Sequence, residues 1–141
     1  MKAKDLMIGD WVCCTDPTPF KIEAITIIDF PEYVTGNDGF DVEIADLQPI
    51  PLTTEILEKN GFKELMNESE VSAARFGRKP EPTGVWQYGF GQFDSVAYVP
   101  EQSFLRIKFM EGCQADIANI KYVHELQHAL RLCGIEKEIN L

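Results

Sequence analysis

The 141-residue chain has only two histidines, His124 and His128, and its four cysteines never form a C-x-x-C pair. That spacing removes zinc-ribbon and redox-motif readings. Cys13, Cys14, Cys113 and Cys133 are expected instead as small, reduced core side chains, a common fate of cysteine. Apolar runs approaching the ~20 residues of a membrane helix are also missing. The opening Met1–Leu6 meets a Gly9-Asp10 turn before any signal-peptide apolar segment could form. The expectation is a cytoplasmic protein without a membrane association. The sequon at Asn67-Glu68-Ser69 then has no consequence.

Cations are scarce as well. Thirteen Lys and Arg face twenty-three Asp and Glu, for a formal net charge of −10. The imbalance concentrates in residues 1–50, where three lysines meet ten carboxylates. Such a field repels phosphate backbones, so nucleic-acid binding is disfavoured there. It reads either as a solvated surface or as an acidic face for a basic partner.

Catalytic signatures are largely absent. There is no G-x-x-x-x-G-K-[ST] phosphate loop and no G-x-S-x-G elbow. Gly89-Phe90-Gly91 starts like a dinucleotide fingerprint but lacks the third glycine and a following helix. Asp41 and Glu43 share a strand face without an identifiable basic or histidine partner.

With 45% hydrophobic and 11% aromatic residues, the chain can build a real core, and disorder is not expected. Residues 1–51 read as short strands and turns. A Gly-Asp turn leads into Trp11-Val12, Thr15–Pro19 breaks the run, and Phe20–Ile28 is rich in Ile and Thr. The cluster Thr35–Gly39 turns the chain into a returning strand over 40–45. A small SH3-like β-barrel-type unit is the expected packing of residues 1–51.

Residues 52–141 read as an antiparallel sheet with two helices. Thr53 caps a short helix that Asn60-Gly61 stops. After a weak strand at 62–65, residues 66–83 read as a polar loop. Strands are predicted at 85–90, 95–99 and 103–109, the last alternating Leu105, Ile107 and Phe109 against Arg106 and Lys108. Val123, Leu126, Leu130 and Cys133 form the stripe of an amphipathic helix closed by Gly134. The fold class is α+β.

Two patterns carry candidate chemistry. His124-Glu125-Leu126-Gln127-His128 is a literal H-E-x-x-H, which on a helix could hold zinc with Glu125 activating water. A third histidine is wanting, and Arg131 and Gly134 stand where the extended motif needs Gly and His. Both histidines also fall nearly opposite the apolar stripe, beside a discouraging Arg131. Two surface histidines are therefore expected, with no metal and no cofactor. The second pattern is Trp86, Tyr88 and Phe90, which alternation places on one sheet face. Core packing is their ordinary role. Were an anionic ligand bound, that face with the basic cluster Arg75, Arg78 and Lys79 would take it, as in a single-stranded nucleic-acid module.

Three stretches together carry a resemblance. Leu6–Val12, Pro49–Thr53 leading to Gly61-Phe62, and Ile120–Gln127 resemble short proteins common in gut-bacterial genomes and their phages or mobile elements. No activity is established for that group. The resemblance implies that His128 occupies a position usually held by Asn and Glu125 one often held by Gln, so the H-E-x-x-H is accidental. It also implies that Tyr122, Val123 and Leu126 are packing residues, and that 66–102 carries individual specificity. The expected function is a non-catalytic binding or accessory protein of phage or mobile-element origin, with a protein partner and with homo-oligomerisation left open. The alternatives are a zinc-dependent hydrolase through His124, His128 and Glu125, and a single-stranded nucleic-acid-binding module.

Overall fold

The computed structural model describes residues 1–16, 18–28, 31–91, 94–110 and 112–141. It is α+β, with two antiparallel five-stranded sheets and three α-helices among these residues. Two compact units result. One comprises Met1–Leu52 with Lys121–Ile139, and the other Thr53–Ile120.

In the first unit a 3-10 turn at Ala3–Asp5 precedes β1 (Trp11–Cys13), β2 (Phe20–Thr26), β3 (Tyr33–Gly36) and β4 (Asp41–Glu43). A second 3-10 turn, Ile44–Asp46, leads to β5 (Gln48–Pro49). The strand order is β4-β3-β2-β1-β5, and no closed barrel is formed among the described residues. Leu6, Val12, Phe20, Ile22, Val34 and Ile44 fill its core. Strict alternation along β2 would point Ala24 and Thr26 inward with Ile22. A register shift between Ile22 and Ala24 reverses that parity, so Ile25 turns toward the core and Ala24 is exposed.

The second unit holds α1 (Thr54–Lys59), β6 (Lys63–Met66), α2 (Glu70–Arg75), β7 (Pro82–Gly89), β8 (Ser95–Val99), β9 (Phe104–Lys108) and β10 (Gln114–Ala118). Thr53 accepts from the Ile56 amide as the N-cap of α1, and Gly61 at φ +79° ends it. Phe62 then folds back, its amide donating to Leu57 O, and is fully buried. The sheet order β10-β9-β8-β7-β6 is a simple meander. Leu57, Trp86, Val96, Tyr98, Leu105 and Ile107 supply its buried side.

In the first unit the strands β3 and β5 escaped the sequence reading, and Thr35 and Gly36, expected in a turn, belong to β3. In the second unit two elements escaped it. Residues 66–83 contain α2, capped by Ser69 through the Ser72 amide. Its only buried residue is Ala73, too little apolar periodicity to announce a helix. The edge strand β10 alternates modestly buried Ala115 and Ile117 with exposed neighbours. The core placement expected of the cysteines also fails. Cys113 is exposed, the other three are half-buried, and no disulfide joins them.

Helix α3 (Val123–Leu132) returns to the first unit rather than completing the second, unlike the division at 51/52 read from the sequence. Leu52 donates to Lys121 O and Val123 donates to Ile50 O, docking the helix start beside the end of β5. Gly134 at φ +71° closes the helix, and Ile135 folds back with its amide on Leu130 O. No helix of the described residues is long and apolar enough to cross a membrane.

Candidate functional site

The most organised polar cluster lies in the first unit, where α3 meets the turn at 7–11. Gly9 adopts φ +87°, which lets the chain double back and turns the Asp10 carboxylate inward. Asp10 is fully buried. Its Oδ2 accepts from the Met7 amide at 2.8 Å and pairs with His128 Nε2 at 2.7 Å. Its Oδ1 accepts from Arg131 Nη1 at 3.3 Å. Three groups thus satisfy a carboxylate that could not otherwise be buried.

Gln127 stitches the same two elements together. Its Oε1 accepts from the Trp11 amide at 3.2 Å, and its Nε2 donates to Gly9 O at 3.0 Å. Arg131 Nη1 also donates to Ile8 O at 3.1 Å. The Trp11 indole donates to Ile139 O at 2.7 Å, tying down the segment after the helix. An open pocket of about 390 Å³ adjoins this junction, with Lys21, Arg131 and Lys137 against Glu136 and Glu138 on its walls. Lys21 pairs with Glu138 and lies 5.4 Å from the Trp11 ring centroid.

The three functional letters of H-E-x-x-H have separate roles here. Glu125 Oε2 accepts from the Lys121 and Tyr122 amides at 2.7 and 3.1 Å, the reciprocal arm of a helix capping box. His128 is oriented by Asp10. His124 is buried, stacked on Tyr122 at 5.9 Å between centroids and edge-on to His128 at 5.7 Å. The expectation of two surface histidines is corrected. The helix buries the 124/127/128 side as well as the apolar stripe, because the 7–11 turn covers it.

Burial holds the His124 imidazole below the usual histidine range. Asp10, Glu125 and Asp5 pull the other way, and His128 adds to the lowering. Its Nδ1 is the one buried side-chain nitrogen or oxygen without a hydrogen-bond partner among the described residues. Also among them, no three His, Cys, Asp or Glu side chains are grouped so as to hold a metal ion. Among the described residues, His128 bonds to the Asp10 carboxylate. The cluster offers an oriented imidazole, and its evident work is to lock α3 onto the first sheet.

The aromatic candidates lie in the second unit. Trp86 is buried; Tyr88 packs against Phe62 with centroids 5.4 Å apart, and Phe90 meets Phe109 edge-on at 6.1 Å. Arg75 ends α2 and is exposed, as are Arg78 and Lys79. Arg78 pairs with Glu68 at 3.1 Å and lies over the Phe76 ring at 5.2 Å.

Sequence reasoning named His128 and placed Arg131 beside it, but missed Asp10 and Gln127 as the groups that join this helix side to the 7–11 turn. The available signals were faint: a carboxylate next to a turn glycine, and Gln127 and Arg131 bracketing His128 on one helix side. No family model matches the chain, and no curated protein or solved structure matches it either.

Proposed function

We propose that this is a non-catalytic binding or accessory protein, cytoplasmic and of phage or mobile-element origin, built on a small SH3-like first unit. The carrying observation is the internal use of the groups that could do chemistry. Glu125 is spent on two backbone amides and His128 on the buried Asp10. The SH3-like description is supported by the path of the first sheet: a 3-10 turn after β4 delivers β5 antiparallel to β1. Support for the phage or mobile-element origin comes from the three resembling stretches alone.

The test is elemental analysis of the purified, untagged chain beside the His128→Asn variant. Substoichiometric metal in both supports the binding reading. Stoichiometric zinc, lost in the variant, would overturn it in favour of the hydrolase.

A further inference from the structure

One face of the second sheet is buried. The other is not, and its composition is unusual for a face left to water. Antiparallel sheets with one solvated side ordinarily alternate apolar-in with polar-out. Here the outward residues include a continuous apolar row across the strands, Leu65, Val85, Val99 and Phe104, around a shallow concavity of about 310 Å³. Leu65 retains 39% of its surface, and the other three are only half-buried.

Beside this row the register aligns Lys63, Gln87, Ala97, Arg106 and Asp116 across all five strands. Lys108 follows one row further on, opposite Ser95 and Gln114. The face thus displays three cations against one carboxylate, in a chain whose formal charge is −10. Arg106 is fixed by two bonds to Asp116 at 2.8 and 2.9 Å and lies 5.4 Å from the Phe104 ring centroid. Lys63 and Lys108 are exposed.

We infer that this sheet face docks an acidic amphipathic helix of a partner protein. The apolar row spans four strands, about 14 Å at the usual strand spacing, which is under three turns of helix. A helix laid across it would bury its apolar stripe on Leu65, Val85, Val99 and Phe104. Its acidic flank would meet Lys63 and Lys108. A helix covering the second side of a sheet is a standard layer arrangement. A second copy docking face to face would set these lysines against each other, at an electrostatic cost. Single-stranded nucleic acid is less suited, since the face offers one aromatic ring where base stacking wants several.

The inference rests on the binding reading. Its test is independent of the metal analysis, so the failure of either is recognisable by itself. The full chain is used to select from a phage-displayed random library of peptides of about 18 residues, enough for five helical turns. Enriched peptides should carry Asp or Glu on one side and apolar residues at i, i+3, i+4 and i+7. The Lys63→Glu/Lys108→Glu double variant should weaken their binding roughly tenfold or more, with more lost in added salt. Val99→Lys should abolish it. Lys63 and Lys108 are exposed and Val99 is half-buried, and an unchanged melting temperature would show that both variants fold. Basic enriched peptides, no enrichment, or binding indifferent to these variants would overturn the inference. So would tighter binding of an oligothymidylate of about 20 nucleotides, or a concentration-dependent dimer that Val99→Lys dissolves.

Discussion

Asp10 and His128 are 118 positions apart in the chain and 2.7 Å apart in the fold. Their bond closes the first unit: a carboxylate at the entrance to β1 holds a helix that the chain reaches only after the whole second unit is built. Asp10 is fully buried and His128 largely so, whereas Arg131, the third member, keeps 39% of its side-chain surface. Removing the carboxylate strands the Met7 amide and the His128 ring nitrogen together. Asp10→Ala should therefore destabilise the protein by about 3 kcal/mol. Arg131→Ala should cost under about 1 kcal/mol, because a half-exposed ion pair is well screened. Urea unfolding of both variants at neutral pH checks the ranking. Equal losses would mean that Asp10 is not held chiefly by His128 and the Met7 amide.

Glu125 permits a sharper distinction. As a helix cap it needs a side-chain oxygen that accepts hydrogen bonds, and a glutamine oxygen can serve. As a metal-site base it would need the carboxylate itself. Glu125→Gln should keep the melting temperature within about 2 °C of the parent, while Glu125→Ala should lose about 1 kcal/mol. Thermal unfolding followed by circular dichroism separates the two. Equal losses in both variants would show that the capping bonds are not what this side chain contributes.

The second unit yields a contrast between a buried ring and an exposed cation. Trp86 retains 7% of its surface, and its strand is paired on both sides. Trp86→Ala should cost about 3–5 kcal/mol by cavity formation. Arg78, whose ion pair with Glu68 is solvent-exposed, should change stability by less than about 1 kcal/mol on substitution by Ala. Denaturant midpoints decide the matter. A Trp86→Ala protein of nearly parental stability would return that ring to the list of ligand contacts.

The elements legible from the sequence were those with strong local punctuation. Thr53 and Asn60-Gly61 bracketed α1, Gly134 closed α3, and the Leu105/Ile107 alternation announced β9. Elements held mainly by distant partners were not. Helix α2 buries only Ala73, and the inward turn of Ile25 comes from a bulge that periodicity cannot foresee. The same holds for the polar cluster. The apolar stripe of α3 was readable at helical spacing, but the burial of His124 depends on a turn more than a hundred residues earlier. A helix wheel assigns that side to water unless another segment covers it. Gly9-Asp10 reads in one dimension as a turn, with only the carboxylate beside the glycine as a faint sign that it supplies the cover.

His124 gives this cluster a pH dependence whose sign can be worked out. Burial lowers its proton affinity in the folded protein, against the opposing pull of Asp10, Glu125 and Asp5 and with a further push from His128. The unfolded chain titrates near the ordinary value of about 6.5. Below that value the unfolded state binds the extra proton and the folded state resists it, so stability falls as pH falls toward the depressed folded value. Above it the contribution is fully present. Melting temperature should thus decline between about pH 7.5 and about pH 5. The His124→Phe variant, which keeps a ring against Tyr122 and removes the unpaired Nδ1, should decline less. It should also be at least as stable as the parent at the upper end, since an unsatisfied buried nitrogen costs about 1–3 kcal/mol. Differential scanning calorimetry across that range, on both proteins in one buffer series, reads the effect as a difference. If the two curves stay parallel at every pH, His124 is not the group that carries the dependence, and its burial has no titration consequence.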